Sequence, residues 1–241
     1  MKNQDNEWKP KVSVIFPSYN EKDNIREAIN RTHKSLGKML FEIIVVDDNS
    51  PDKTWKIVQD MKNPKYKIIR RIKERGLASA IATGVESAKG NIIVWLDCDL
   101  GIPPENILRL VDALKENDVA IGSRYAKGGK EMRPKWRSLL STSINIFASM
   151  MLGFKVRDYT SGFIAVRKNV TDKIKLSREG FGEYFAEFVY ECLKNNYKIK
   201  EIGYIYGKRK SGVSKSDGSI LVLLKYGFQY AYKILKIRIS L

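Results

Sequence analysis

Residues 91–99 read Asn-Ile-Ile-Val-Trp-Leu-Asp-Cys-Asp, an apolar run that ends in two aspartates on either side of a cysteine. The run 91–96 is short, rich in β-branched residues and without a helical period, so it predicts a buried strand. Four other runs share this character and are also predicted strands: 11–16, 41–46, 66–72 and 119–122. Segments with apolar residues at helical spacing separate them: 24–36, 54–61, 77–88 and 105–115. This alternation predicts an α/β fold with a mostly parallel sheet flanked by helices.

Polar and charged residues follow four of the predicted strands. These segments are 17–21 (PSYNE), 47–52 (DDNSPD), 97–99 (DCD) and 122–125 (GSRY). In open parallel sheets, ligands bind beyond the carboxyl ends of the strands. The sequence therefore predicts a binding site at this edge of the sheet.

Asp97 and Asp99 are candidate metal ligands. In an extended backbone, residues two apart point the same way, so both carboxylates can face one hard cation. A Mg²⁺ or Mn²⁺ ion there would neutralise a leaving diphosphate. The competing interpretation is a strand end that exposes charge to water. The competing interpretation of Asp47 and Asp48 is a capped turn before the helix that begins at Thr54.

After Tyr125 the regular alternation stops. The remaining predicted elements are a helix over 138–152, a strand over 164–167, a helix over 185–195, a strand over 199–206 and an apolar, lysine-bearing segment over 219–239. Asp158 is interpreted either as a turn cap or as a contact to sugar hydroxyls. Glu187 is interpreted as a solvated or ion-paired helix residue, and His33, the only histidine, as a structural or surface residue.

The chain is strongly basic, with 44 Lys and Arg against 27 Asp and Glu and a net charge of +17. The excess is concentrated after Lys194 and suggests a polyanionic partner: nucleic acid, a phosphorylated small molecule or an anionic membrane. Nucleic-acid binding would require aromatic and basic residues interleaved on one surface. Acidic clusters instead occupy the predicted sheet edge, so we expect no nucleic-acid partner.

Targeting and redox features predict a cytoplasmic protein. The first ten residues lack the apolar stretch of a secretory signal. The longest uncharged run, 138–154, is too short and too polar for a spanning helix. Cys98 and Cys192 have neither disulfide-framework nor metal-type spacing.

Seven short motifs occur in order along about residues 11–216. They are 17–21 (PSYNE), 47–52 (DDNSPD), 76–80 (GLASA), 97–99 (DCD), 122–125 (GSRY), 158–163 (DYTSGF) and 209–215 (RKSGVSK). The series resembles the family 2 inverting glycosyltransferases, and within that family it is most similar to the dolichol-phosphate mannose synthases. The resemblance implies a GT-A type nucleotide-diphosphosugar transferase domain over 1–216. The residue pattern of the remaining segment, 217–241, predicts a basic amphipathic helix.

The implied reaction is transfer of mannose from GDP-mannose to a polyprenyl (dolichyl) phosphate with inversion. The alternatives are a polyprenyl-phosphate glucosyltransferase that uses UDP-glucose and a transferase with a soluble sugar acceptor. A phosphate monoester has a second pKa of about 6, so a lipid-phosphate acceptor is largely ionised and needs no general base. Catalysis would then rest on positioning and charge neutralisation.

The resemblance also assigns roles to individual residues. The expected nucleoside contacts are Pro17, Tyr19, Glu21, Val46 and Asp48. The expected diphosphate and metal contacts are Asp97, Cys98 and Asp99, and the expected phosphate contacts are Arg124, Arg209 and Lys215. Asp97, Asp99 and Arg124 are the candidate catalytic residues. Two positions depart from the family: Cys98 replaces the central alanine of the usual Asp-Ala-Asp, and Gly101 replaces a polar metal-binding side chain of some relatives. Metal coordination would then rely on the two carboxylates, phosphates and water.

A polyprenyl acceptor implies contact with a membrane. Lys225, Gln229, Lys233 and Lys236 share one face of the C-terminal segment, which predicts docking on a membrane or a partner. The competing interpretation is a helix that packs on the domain core. Segment 138–154 is a second candidate for membrane contact. We expect peripheral attachment to the cytoplasmic face of a membrane, and the resemblance leaves room for a separate membrane subunit.

Overall fold

The computed structural model describes residues 8–180, 182–207 and 220–240. The strands are β1 (Val12–Ser18), β2 (Leu40–Asp47), β3 (Tyr66–Arg70), β4 (Ile92–Trp95), β5 (Val119–Ser123), β6 (Lys130–Glu131), β7 (Ile164–Arg167), β8 (Ile199–Gly203) and β9 (Ile205–Tyr206). The helices are α1 (Ile25–Leu36), α2 (Thr54–Asp60), α3 (Leu77–Ser87), α4 (Ile107–Ala113), α5 (Lys135–Leu152), α6 (Lys168–Lys173), α7 (Glu183–Lys194) and α8 (Ile220–Ser240).

Seven strands form one sheet in the order β3-β2-β1-β4-β7-β5-β8. Every neighbouring pair is parallel except those of β7, which runs antiparallel to both β4 and β5. The prediction of a mostly parallel sheet flanked by helices is therefore confirmed. The insertion of β7 between β4 and β5 was not predicted, because hydrophobic periodicity identifies a strand without fixing its neighbours.

The strand predicted over 199–206 is two strands, and the single-strand prediction was wrong. The break falls at Tyr204, whose ring is fully buried and packs edge-on against Phe163 at 5.5 Å between centroids. After this residue the chain leaves the main sheet, and β9 pairs in parallel with β6 in a separate two-stranded sheet. This small sheet lies next to the segment that follows β4, since Gly207 N–H donates to the Gly101 carbonyl oxygen at 2.9 Å.

Side chains of the central strands alternate between two hydrophobic clusters, one on each face of the sheet. In β1, Ile15 belongs to the cluster that contains Trp95 and Phe188, whereas Val14 and Phe16 belong to the other. This is the period of two expected of a strand covered on both faces. The strands are thus fixed from both sides, and the loops at their carboxyl ends are held on a rigid edge.

The last helix, α8, is packed against α5 and α7. Tyr230, Ile234 and Ile237 are one helical turn apart and are buried in the main core. The predicted C-terminal helix is therefore present. One of its faces packs on the domain core, as the competing interpretation had it. The predicted domain boundary between 216 and 217 lies outside the described residues. In the described parts of the chain, no helix combines the length and apolarity needed to cross a bilayer.

A buried glutamate ties three elements of the sheet together. Glu42 on β2 accepts hydrogen bonds from Ser13 Oγ and Lys89 N, both at 2.7 Å, and from Lys67 Nζ at 2.5 Å. Burial opposes ionisation of Glu42, but these hydrogen bonds outweigh it and lower the pKa of the carboxyl group. Because the folded pKa lies below the unfolded value, Glu42 stabilises the fold above about pH 4.3 and loses this contribution as the pH falls.

Replacing Glu42 with glutamine is expected to lower the free energy of unfolding at pH 7 by about 1.5 kcal/mol, the low end for a hydrogen bond to a charged group because Lys67 is half exposed. The variant should also lose less stability than the wild type between pH 6 and pH 3. Urea unfolding across this range measures both, with the exposed Glu116→Gln as the control. Parallel pH profiles for wild type and Glu42→Gln would contradict the assignment.

Candidate active site

The ends of β1 and β2 form the first part of the site. Pro17 and Val46 lie opposite each other in the parallel pair. Beyond them, Ser18 Oγ donates to Asp47 Oδ2 at 2.9 Å, and the backbone N–H of Ser50 donates to Asp47 Oδ1 at 2.8 Å. Asp47 is fully buried. The interpretation of Asp47 as a turn cap is thus confirmed, and its contacts fix two strand-end loops relative to each other.

Asp48, the next residue, is held by Arg71, which was not predicted as a site residue. Arg71 Nε donates to Asp48 Oδ1 at 2.7 Å, with a second contact from Nη2, and Gly76 N–H donates to Oδ2 at 2.8 Å. Arg71 also bonds Ser79 Oγ at 2.8 Å, which joins the start of α3 to this group. A carboxylate accepts about four hydrogen bonds, so three protein donors leave room for one from a nucleoside. The role of Asp48 in nucleoside binding remains a prediction.

Tyr19 and Glu21 lie in the loop after β1. The Arg75 guanidinium lies 5.4 Å from the centroid of the half-exposed Tyr19 ring. Asn24 Nδ2 donates to Glu21 Oε2 at 2.8 Å, and Glu21 N–H donates to Thr54 Oγ1 at 2.9 Å. The loop therefore presents an aromatic face and a carboxylate on a hydrogen-bonded support.

The segment Asp97-Cys98-Asp99 lies in a bend, because β4 already ends at Trp95. The prediction that an extended backbone points both carboxylates the same way was therefore wrong about the backbone. Asp97 is exposed, whereas Asp99 is only 1% exposed and its Oδ1 accepts the Gly101 N–H at 2.8 Å. The positive φ of 63° at Leu100 continues the turn. The two aspartates thus have different environments.

Cys98 lies close to three acidic side chains. Its thiol is buried 3.6 Å from the Pro17 carbonyl oxygen, and both cysteines are free. Burial raises the pKa of Cys98, and the charges of Glu21, Asp97 and Asp99 raise it further. Cys98 therefore stays a neutral thiol that packs beneath the site, so the small side chain is accommodated, as expected.

The residues around Cys98 fit a divalent cation. In the described residues, no group of three His, Cys, Asp or Glu side chains is arranged to hold a metal ion by itself. Protein sites for Mg²⁺ commonly use one or two carboxylates together with substrate phosphates and water. Asp97 and Asp99 can supply those carboxylates. Their role as metal ligands stays a prediction.

Arg124, after β5, is buried in an ion pair. Its Nε and Nη2 donate to the two oxygens of Asp158 at 2.9 and 2.7 Å, and Nη2 also donates to Thr160 Oγ1 at 2.6 Å. Burial opposes the charge of Arg124, but Asp158 outweighs burial and raises the pKa of the guanidinium above its ordinary value. Nη1 makes the longest contact, 3.6 Å to Glu131 Oε2. A direct phosphate contact of Arg124 remains a prediction.

The carboxylate of Asp158 is fully buried and paired. It therefore does not face an open sugar site. It is the charge partner of Arg124, and its Oδ1 also accepts a hydrogen bond from Thr160 Oγ1 at 3.3 Å in the turn that follows. The backbone N–H of Asp158 donates to Glu201 Oε1 at 3.0 Å, and the N–H of Arg157 donates to Glu201 Oε2 at 3.1 Å. Burial raises the pKa of Glu201. The segment that carries Asp158 is thus anchored to β8.

Other predicted residues lie apart from this edge or outside the described residues. Arg209 and Lys215 belong to the second category. Glu187 on α7 pairs with Lys233 at 3.0 Å, as the ion-paired interpretation had it. His33 Nδ1 lies 2.5 Å from Tyr66 Oη, at the opposite end of the sheet from the carboxylates, which confirms a structural role.

The fold matches solved structures of nucleotide-sugar transferases. Glucosyl-3-phosphoglycerate synthase from Mycobacterium tuberculosis, in complex with Mn²⁺, UDP and glucosyl-3-phosphoglycerate, superposes with a TM-score of 0.72 at 17% identity, over 95% of this chain and 80% of that one. A complex of the same protein with Mn²⁺, UDP-glucose and phosphoglyceric acid also gives 0.72. The fold and its carboxylate-lined strand ends define a GT-A type domain.

Sequence comparison gives the family. The model for glycosyl transferase family 2 matches residues 13–175. The chain is 41% identical over 234 residues to the dolichol-phosphate mannosyltransferase of Pyrococcus furiosus, and 33% identical over 216 residues to the polyprenol monophosphomannose synthase of Mycolicibacterium smegmatis. These matches cover 94% and 86% of this chain. The chain belongs to glycosyl transferase family 2. It spans 64% of the Pyrococcus relative and 81% of the Mycolicibacterium relative.

Proposed function

We propose that the chain transfers a mannosyl group from a nucleoside diphosphate mannose, with GDP-mannose favoured, to a polyprenyl (dolichyl) phosphate. The observation that carries this proposal is the 41% identity over nearly the whole chain to a dolichol-phosphate mannosyltransferase. An undecaprenyl-phosphate mannosyltransferase of Micrococcus luteus, 28% identical over 88% of this chain, supports the same class of acceptor.

The chemistry needs an ionised acceptor and a stabilised leaving group. An oxygen of the lipid phosphate attacks the anomeric carbon as the bond from that carbon to the donor diphosphate breaks, and the diphosphate leaves with the electron pair. Attack opposite the leaving group inverts the anomeric configuration. The acceptor phosphate is already largely ionised at neutral pH, so the protein contributes position and charge rather than a general base.

Asp97 and Asp99 would hold the divalent cation, Mg²⁺ or Mn²⁺, which when bound neutralises the charge of the leaving diphosphate. The loop that carries Tyr19 and Glu21, with Asp48 on its Arg71 support, would hold the nucleoside. Arg124, Arg209 and Lys215 would supply positive charge for the donor and acceptor phosphates.

The base of the donor is tested by calorimetry with GDP, UDP and CDP in the presence of Mn²⁺. We expect GDP to bind more tightly than the other two. Tighter binding of UDP would reject the GDP-mannose assignment and support the polyprenyl-phosphate glucosyltransferase alternative. No metal-dependent binding of any nucleotide would reject the donor site altogether.

We also propose that α5 and α8 dock the chain on the membrane that holds its acceptor, on the cytoplasmic face. The two helices pack against each other, and each exposes an apolar stripe at helical spacing. The stripe of α5 consists of Trp136, Leu139, Ile146 and Met150, and that of α8 consists of Phe228, Tyr232, Leu235 and Ile239. The α8 stripe lies opposite the buried face of that helix, with Lys236 beside it, an arrangement suited to an anionic bilayer surface.

Replacing Leu139 and Phe228 with aspartate is expected to weaken vesicle binding by roughly tenfold or more for each residue, since inserting such a side chain contributes about 1.5–3 kcal/mol. Cosedimentation with vesicles of zwitterionic and anionic lipid measures the effect. Ile72→Asp, which changes an exposed apolar residue outside both helices, is the matched control. Equal binding of the double variant and the control would overturn the docking surface.

A further inference from the structure

Tyr206 lies beside Gly101, which follows the proposed metal ligand Asp99 by two residues and has no side chain. A Cβ atom on Gly101 would lie 3.1 Å from Asp99 Oδ1 and 3.2 Å from both Tyr206 Oη and Tyr206 Cζ. The phenol of Tyr206 therefore occupies the space into which a side chain at 101 would grow. A hydroxyl group can donate to a phosphate oxygen or a bound water, and Gly101 has no side chain that could do so.

The backbone on both sides of Tyr206 is fixed. Tyr206 ends β9 and its carbonyl oxygen accepts the Met132 N–H at 3.0 Å, while the next residue, Gly207, bonds the Gly101 carbonyl oxygen at 2.9 Å. The guanidinium of Arg133 lies 5.0 Å from the centroid of the tyrosine ring. Tyr206 as a whole is only partly buried.

The two-stranded sheet of β6 and β9 also connects Tyr206 to the Arg124 ion pair. Glu131 on β6 pairs with Tyr206 in register, and its buried carboxylate contacts both Arg124 and Arg133. Tyr206 is thus close to Asp99 through the shared space at Gly101, and it is connected to the Arg124 ion pair through its strand partner Glu131.

We propose that Tyr206 binds the metal-bound diphosphate. Its hydroxyl supplies the polar group that Gly101 lacks and hydrogen-bonds an oxygen atom of the metal's ligand shell, either a phosphate oxygen or a water, on the Asp99 side. This inference rests on the proposed function, because it needs a donor diphosphate and a divalent cation at Asp97 and Asp99. It makes Tyr206 part of donor binding and not only of core packing.

The first test deletes the hydroxyl alone. Tyr206→Phe is expected to weaken Mn²⁺ binding in the presence of GDP by about tenfold, the loss of one hydrogen bond to a charged group. GDP binding in EDTA separates the two acceptors, since it should stay unchanged if the hydroxyl bonds a metal-bound water and should weaken if the hydroxyl bonds a phosphate oxygen. Electron paramagnetic resonance of free Mn²⁺ measures the metal directly, without an activity assay. Tyr66→Phe, which removes a hydroxyl from the opposite end of the sheet, is the matched control.

The second test places a side chain at position 101, in the space that the Tyr206 phenol occupies. Gly101→Gln in the wild type would force its side chain against the Tyr206 ring, so we expect weaker Mn²⁺ binding. In a Tyr206→Ala background the ring no longer blocks the same glutamine, and its amide oxygen should restore Mn²⁺ affinity relative to Tyr206→Ala alone. Failure of this rescue, together with wild-type affinity in Tyr206→Phe, would overturn the inference and leave the proposed function standing. Absence of Mn²⁺-dependent binding of GDP, UDP and CDP in the wild type would overturn both.

Discussion

Asp99→Asn is expected to abolish most metal-dependent nucleotide binding, with an affinity loss of more than about 100-fold. Changing a residue that only orients a metal ligand already lowers metal affinity or activity by about 10–100-fold, and Asp99 is proposed to be a ligand itself. Asparagine has nearly the same shape and can still accept the Gly101 N–H, so the turn after β4 should be preserved. The change therefore removes the charge and leaves the local fold.

Calorimetric titration of GDP with Mn²⁺, and again with EDTA, measures this effect. The wild type and Asp99→Asn should bind alike in EDTA and differ only with the metal. Asp112→Asn, which removes a charge from an exposed position on α4, should behave like the wild type. An unchanged Mn²⁺-dependent affinity in Asp99→Asn would remove Asp99 from the metal site.

Arg124→Met is expected to lower the free energy of unfolding by about 3–5 kcal/mol, because it leaves the buried carboxylate of Asp158 without its charge partner. For a chain of this size that corresponds to a fall in melting temperature of roughly 6–20 °C. Thermal unfolding measures it. Arg31→Met, which breaks the exposed ion pair with Glu105, should cost no more than about 1 kcal/mol.

A double variant separates the structural role of Arg124 from its proposed role at phosphate. Arg124→Met with Asp158→Asn leaves no unpaired charge, so most of the lost stability should return. Sugar transfer should stay low, because the positive charge near the phosphates is still missing. Wild-type transfer by the stable double variant would show that Arg124 serves only as a support.

Much of the site edge could be predicted from the sequence because strand ends and turn-forming residues are local signals. The apolar run before Asp97 and the polar segments after the other strands place the candidate residues on one side of a parallel sheet. The family resemblance then assigned roles that no spacing could give. The segment Asp97-Cys98-Asp99 also illustrates the limit of sequence analysis, since the bend after β4 separates an exposed Asp97 from a buried Asp99.

The contacts that were missed join residues that are distant in sequence. Arg71 reaches Asp48 across 23 positions and Arg124 reaches Asp158 across 34, so no local pattern reveals either pair. Tyr206 likewise becomes relevant only because β9 leaves the main sheet and returns to Gly101. For α8, periodicity indicated an amphipathic helix, but only the packed structure shows that it has two apolar faces, one buried and one exposed.

The most direct measurement incubates the protein with equal amounts of GDP-mannose and UDP-glucose, a short polyprenyl phosphate in anionic vesicles and Mn²⁺, and identifies the lipid product by mass spectrometry and anomeric analysis. We expect a polyprenyl phosphate that carries one mannose with inverted configuration, formed only when the metal is present. A glucose-bearing lipid, a retained configuration or no sugar-bearing lipid would contradict it.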